Sequence, residues 1–427
     1  MSQQKQPQPL SRLQRMAEKA GFKRREETQA VIERLRGRAD YCPEYEYFIA
    51  LMEAGFLSQA VKERVGKPVA ALLCLQAPLE LFHAFGVHPF KIFSGSQIAS
   101  RLSAPSLSTL MCPMIRSALG ALQMDACACA DPAVVDAGYA AWVVPTTCDW
   151  VVRFPEMMEN CGYKRSRPVY YLELPHVKDA PPSQARWLDE LYLLRDFLAK
   201  LTGTCLNRKK LLAAVDVYQR AWRVFVRFTE YKRQRKVAAE WAALVSNSFF
   251  LDGVERWTQA VEVLFPHLER LAPIPGNAVS LAGSPIFFPN FKVLELIEKA
   301  GLCMVADDLC SSERLFPGAV FPSDLSEYGI MRALAGRYRE GCLCPTFINN
   351  HRRLANILAP AWKARAEGIV FHVLKGCHPF DIASFTLERS LKLDPVPFIR
   401  LETDYTAEDS QTLLTRLEAF RSTLVGI

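Results

Sequence analysis

Apolar residues follow two rhythms along this chain. One is a short unbroken run set between turn residues. Val69-Ala70-Ala71-Leu72-Leu73-Cys74-Leu75 follows Gly66-Lys67-Pro68, and Tyr139–Pro145, Pro168–Leu174, Ala278–Gly283, Leu302–Asp308, Gly368–Leu374 and Val396–Tyr405 repeat the form. Apolar runs of this length without alternation predict strands covered on both faces. His88–Phe93 predicts a further short strand. The second rhythm has helical spacing. Leu188, Leu191, Leu194, Leu198 and Leu201 share one face. Pro78–Phe85 predicts a helix with proline near its start and Gly86 at its close, and Val293–Gly301 predicts another.

Alternation of the two rhythms predicts an α/β fold of two open, mostly parallel-sheet domains with helical additions, the site lying in the interdomain cleft. The expected division is an N-terminal helical region at 1–60, a first α/β domain at 61–182, a helical section at 183–272 and a second α/β domain at 273–427.

Composition narrows the function classes. Half of the 427 residues are hydrophobic and 23% are charged, so the chain can bury real cores. The net charge of +7 permits acidic partners or CoA-type phosphates, but no nucleic-acid motif accompanies it. No apolar run reaches the roughly 18 residues of a membrane span. Met1-Ser2-Gln3-Gln4-Lys5 lacks the apolar core of a signal peptide, so a soluble, cytoplasmic protein is expected. Arg34, Arg36 and Arg38 read as a solvated helix face, with a partner-docking surface as the alternative. Lys209-Lys210 and Lys232–Lys236 read as solvated faces. No GxxxxGK[ST] loop is present, which leaves ATP binding to another polypeptide.

Thirteen cysteines are the main chemical signal. Their number is odd and no export signal precedes them, which favours metal binding or buried thiols over disulfides. Cys112 precedes Pro113 and a helix, Cys148 follows a strand and Pro145-Thr146-Thr147, and Cys377 follows another strand. Each sits near an element end, where α/β folds gather functional side chains. Thiolates are soft and charged, as iron–sulfur chemistry requires. Cys310 follows Asp307-Asp308-Leu309, and Cys342-Leu343-Cys344-Pro345 is a tight pair open to ligation, to zinc or to a structural role. Cys127 and Cys129 read as bland. Cys74 and Cys303, inside apolar runs, read as core. Candidate acid/base groups are Glu80, His378, Asp149 and Glu402, with Arg116 as a neighbour for cluster charge. Helix capping, ion pairing or packing compete for each of them.

From about residue 65 to 405 the chain resembles the 2-hydroxyacyl-CoA dehydratase / benzoyl-CoA reductase family, which includes double-cubane cluster proteins. The resemblance lies in Ala77-Pro78-Leu79-Glu80 with Gly86, Cys112 with Arg116-Ser117 and Gly120, Pro145–Asp149, and Gly283-Ser284-Pro285. It continues in Ala306–Cys310, Cys377-His378-Pro379-Phe380 and Leu401–Asp404. It implies that Cys112, Cys148 and Cys377 hold a cluster, with Cys310, Cys342 and Cys344 as candidates for a second trio. It also implies a 4Fe–4S cluster or a double-cubane 8Fe–9S cluster, and a separate dimeric iron–sulfur ATPase that delivers electrons.

The activity expected from the resemblance is that of an iron–sulfur oxidoreductase component in an ATP-dependent system, benzoyl-CoA-reductase-like or double-cubane. One alternative is an (R)-2-hydroxyacyl-CoA dehydratase subunit, a lyase that works through a ketyl radical. Another is a non-catalytic cluster protein that docks the activator ATPase. The assembly is a homodimer or a heterodimer with a homologous subunit, and an acyl-CoA is the candidate substrate.

Overall fold

The computed structural model describes residues 12–55, 58–104, 107–108, 110–127, 138–161, 165–316, 318–341, 343–348, 352–391 and 396–424. The apolar runs become strands. Val69–Leu72 (β1), His88–Lys91 (β2), Ala141–Pro145 (β3) and Val169–Leu172 (β4) form one sheet in the order β2-β1-β3-β4. Asn277–Gly283 (β5), Leu302–Asp308 (β6), Gly368–Leu374 (β7) and Phe398–Thr403 (β8) form another in the order β6-β5-β7-β8. Every ladder is parallel. Helices cover both faces, so β1, β3, β6 and β7 are buried along their whole length. The edge strands β4 and β8 are partly exposed.

The two sheets meet at the ends of their strands. The Trp150 indole donates to the Gly376 carbonyl at 3.2 Å, and the Gly95 amide donates to Phe288 O at 3.0 Å. The helices Arg208–Arg233 and Val254–Arg270 pack together, with Phe225, Phe249, Trp257 and Phe316 as an aromatic cluster beside them, and Pro181–Thr202 packs on Glu327–Glu340. None of the described helices is long and apolar enough to cross a membrane.

Two basic runs depart from the solvated faces expected of them. Arg34 and Arg38, on and just beyond the Arg12–Arg36 helix, reach Glu240, which is completely buried. The distances are 2.6 and 2.9 Å, and Arg38 also meets Glu298 at 2.8 Å. Arg34 and Arg38 thus pin the first helix to the body of the protein, whereas Arg36 stays partly exposed and pairs with Glu46 and Glu53. Lys232 is 1% exposed, and its ammonium bridges Asp307 and Glu313, each at 2.6 Å. The opposite charges lie far away in sequence, so a run of basic residues could not reveal them.

Two measurements test this frame. Lys232→Met leaves buried Asp307 without a counter-charge and Glu313 with Arg233 alone, so denaturant unfolding is expected to show a loss of about 3–5 kcal/mol. Burial pushes His88 and His372 down to about 4, and each keeps one ring nitrogen on a backbone carbonyl (Phe250 and Ser284). The unfolded chain takes up protons near pH 6.5 while the folded chain does not. Stability is therefore expected to fall between about pH 6.5 and about 4, by roughly 1.4 kcal/mol per pH unit for each histidine. A pH series of unfolding midpoints checks this.

Candidate functional site: two thiol trios at the seam

Parallel strands in one sheet all deliver their carboxyl ends to one edge. Cys74 lies two residues past β1, Cys148 three past β3, Cys310 two past β6 and Cys377 three past β7. Cys112 immediately precedes the Pro113–Cys127 helix, and Cys344 follows the Glu327–Glu340 helix.

Cys112, Cys148 and Cys377 come together. The Cys377 thiol donates to the Cys112 sulfur, which lowers the pKa of Cys112 and holds that of Cys377 well above the ordinary thiol range. Burial pushes Cys148 up to about 12, and its other electrostatic partners include Cys377, Cys344 and Cys74. Local geometry fixes all three. The Cys112 carbonyl accepts from the Ile115 and Arg116 amides at 3.1 and 3.2 Å. The Cys148 carbonyl accepts from Val151 at 2.9 Å, and the Cys377 carbonyl from Asp381 at 3.0 Å. Each cysteine therefore opens a helix. Gly376 has φ +76° and lies so close to the Leu110 carbonyl that a Cβ would collide with it. This approach brings the Cys377 loop onto the Cys112 loop. Tyr405 is buried, its electrostatic neighbours are Cys112 and Cys377, and its hydroxyl has no hydrogen-bond partner among the described residues.

A second trio forms from Cys74, Cys310 and Cys344. Burial raises Cys74 to about 12, with Cys344 and Cys310 as its leading electrostatic partners, and burial also raises Cys344. Asp307 shapes the loop that carries Cys310. It accepts from the Leu309 amide at 3.0 Å, the Glu313 amide at 3.1 Å and the Ser312 hydroxyl at 2.7 Å. Asp308 pairs with Arg314 at 3.1 Å and Arg353 at 3.2 Å, and Arg353 also holds the Leu343 carbonyl beside Cys344. The Lys91 ammonium shares this surrounding, with Cys310, Cys74 and Cys344 all among its electrostatic partners.

The other candidates lie differently. Glu80 is completely buried. It pairs with Arg337 and accepts from the Tyr338 hydroxyl at 3.0 Å, so it serves as the counter-charge of Arg337. His378 is exposed in the first turn of the His378–Leu391 helix and makes no side-chain hydrogen bond among the described residues. Asp149 and Glu402 are exposed, and Glu402 pairs with Arg400 at 2.8 Å. Arg116 has a buried Nε without a partner among the described residues. Cys342, Cys129 and the Cys127 side chain lie outside the described residues. A Cys42, Glu44 and His267 group, with ligand atoms within 4.8 Å of one another, sits where the Pro43–Tyr45 turn packs on the Val254–Arg270 helix. Cys303 is core, as its apolar run predicts.

Residues 74–424 match the family described as "2-hydroxyglutaryl-CoA dehydratase, D-component". The chain belongs to this family. It is 25% identical over 390 residues to "Putative dehydratase subunit YjiM" of Escherichia coli (strain K12), covering 88% of this chain and 96% of that protein. It is 22% identical over 371 residues to "(R)-2-hydroxyglutaryl-CoA dehydratase, subunit beta" of Acidaminococcus fermentans, covering 84% and 93%. It is 20% identical over 240 residues to "(R)-phenyllactyl-CoA dehydratase beta subunit" of Clostridium sporogenes, covering 53% and 60%.

Against the sequence reading, Cys74 is the correction. The apolar run continues through Leu75, but parallel pairing with β3 ends at Leu72, so the cysteine leaves the sheet and joins Cys310 and Cys344. Its place at a strand end is the signal that could have found it. Gly376→Ala tests the seam. The methyl group meets the Leu110 carbonyl at a positive φ, so a loss of about 1–3 kcal/mol is expected in thermal unfolding. The difference in alkylation rate between Cys112 and Cys377 is expected to shrink as their contact opens.

Proposed function

We propose that this chain is the iron–sulfur subunit of an ATP-dependent, low-potential reductase, with the two thiol trios holding iron–sulfur units and a separate ATPase supplying the electrons. The observation that carries this reading is the convergence of six buried or half-buried thiols at one seam, three from each α/β half. Cys112, Cys148 and Cys377 form one ligand set, and Cys74, Cys310 and Cys344 the other. The donor chemistry fits, because thiolates are the soft, charged ligands that iron–sulfur clusters take.

The surroundings fit as well. Tyr405 offers an unused O–H beside Cys112 and Cys377, and leaving such a donor unpaired in the interior costs about 1–3 kcal/mol. The amino ends of the Pro113–Cys127 and His378–Leu391 helices turn their partial positive charge toward the same trio. When bound, such a cluster accepts and passes on single electrons at a potential set by nearby charges, hydrogen bonds and burial. The chain's own part is to hold the thiols in place, keep water away and supply N–H and O–H donors. With no GxxxxGK[ST] loop in the sequence, this reading gives ATP hydrolysis to the partner.

A second reading is an (R)-2-hydroxyacyl-CoA dehydratase subunit. The printed names of the relatives favour it, and those named beta subunits favour pairing with a homologous chain. So does an apolar groove of about 640 Å³ between the loops carrying Cys344 and Cys377, lined by Pro345, Phe347, Leu354, Ile357, Pro379 and Leu387. Such a groove suits an acyl chain.

Anaerobic iron and acid-labile sulfide analysis with EPR separates the readings. About eight irons per chain, falling to about four in Cys74→Ala or Cys310→Ala, is expected for two occupied trios. About four irons in the native chain, unchanged by Cys74→Ala, would move the assignment to one cluster and acyl-CoA chemistry. No iron after reconstitution would sink both.

A further inference from the structure

Lys91 ends β2 with its side chain turned into the protein, and it is 8% exposed. It stands 4.7 Å from the Phe287 ring centroid and 5.7 Å from that of Phe93. Among the described residues no carboxylate pairs with it. The contrast with Lys232 is direct, because that buried lysine has two carboxylates. Burying an ammonium without an anion is unfavourable, and aromatic faces compensate only in part. Its leading electrostatic partners are the thiols of Cys310 and Cys74, followed by the like-charged Arg314 and the thiol of Cys344, and Cys310 lines a small cavity with it.

The space beside Lys91 decides what its anion is. The cavity lined by Lys91, Cys310, Asn247, Ser311, Phe93 and Phe287 is only about 20 Å³, room for one water-sized group. That leaves little room for a substrate carboxylate or phosphate, whereas Cys310 lines the same cavity and Cys74 and Cys344 are further electrostatic partners of the ammonium. Arg314 and Arg353 stand on the same side with Asp308 as their shared carboxylate. The first trio is different. The leading partners of Cys112 and Cys377 are each other, Cys148, backbone amides and the Ser284 hydroxyl.

We propose that Lys91 is a positioning charge that makes the Cys74–Cys310–Cys344 trio the place where an incoming electron comes to rest. This rests on the iron–sulfur reading above. A nearby cation stabilises the more negative, reduced state and so raises the reduction potential on its own side. The two trios are thereby unequal, with electrons running from the Cys112–Cys148–Cys377 side toward the Lys91 side.

The test compares Lys91→Met and Lys91→Arg in the cluster-loaded protein by EPR-monitored redox titration. The first, least negative reduction step is expected to move to more negative potential in Lys91→Met and to stay near the native value in Lys91→Arg, with iron content retained. Loss of only the second-trio iron in Lys91→Met, recovered in Lys91→Arg, would support the same role through ligand-charge compensation. An unmoved first step with full iron would overturn it. The cluster-free protein gives an independent readout, because removing an uncompensated buried charge should raise the unfolding temperature of Lys91→Met. An unchanged or lower value would count against the proposal. Absence of iron from the native chain would instead remove the reading beneath it.

Discussion

Everything at the seam depends on parallel pairing. A sheet whose strands all run the same way sends every strand's carboxyl end to one edge, and the helical returns occupy the faces. Two such sheets meet here along those edges. Residues two or three positions past a strand therefore converge, although they are separated by hundreds of residues in the chain. Six cysteines occupy this zone or the loops beside it, and helix starts and buried side chains surround them. An antiparallel arrangement of the same strands would divide these positions between opposite edges.

The buried charges show how the seam is kept in shape. Lys232 comes from the helical section, yet it fastens Asp307 at the end of β6 and Glu313 just beyond Cys310. Asp307 in turn organises the loop between them through three hydrogen bonds. Helical packing and thiol placement are thus coupled through one ammonium. Arg34 and Arg38 do comparable work on Glu240 and Glu298, holding the first helix against the body.

Much of the fold was legible in the sequence. Apolar runs bounded by glycine and proline located β6 and β7 to the residue, because strands covered on both faces leave no alternation to confuse the boundaries. The edge strands β4 and β8 came out two residues shorter at most ends, and both are partly exposed, unlike the fully buried edge strand β6. The Cys112, Cys148 and Cys377 trio was readable through the family resemblance, and the structure brings the three together. Cys74 was misread because an apolar neighbourhood looks the same before and after the last ladder bond. Lys232 and Arg34 were misread because their partners lie 75 and 206 residues away, and local charge patterning carries no trace of them.

The trios also divide unevenly between the sheets. Cys112 and Cys148 belong to the first and Cys377 to the second, whereas Cys74 belongs to the first and Cys310 and Cys344 to the second. Neither set is complete in either half. On a ribosome, the first sheet emerges with at most two members of one trio and one of the other, and no full set exists until Cys377 and Cys344 have been synthesised and docked. Assembly of either thiol set is therefore a late event by construction. A metal centre held by either set would tie the two halves together at the seam, beside the buried Glu80–Arg337 pair that already joins them.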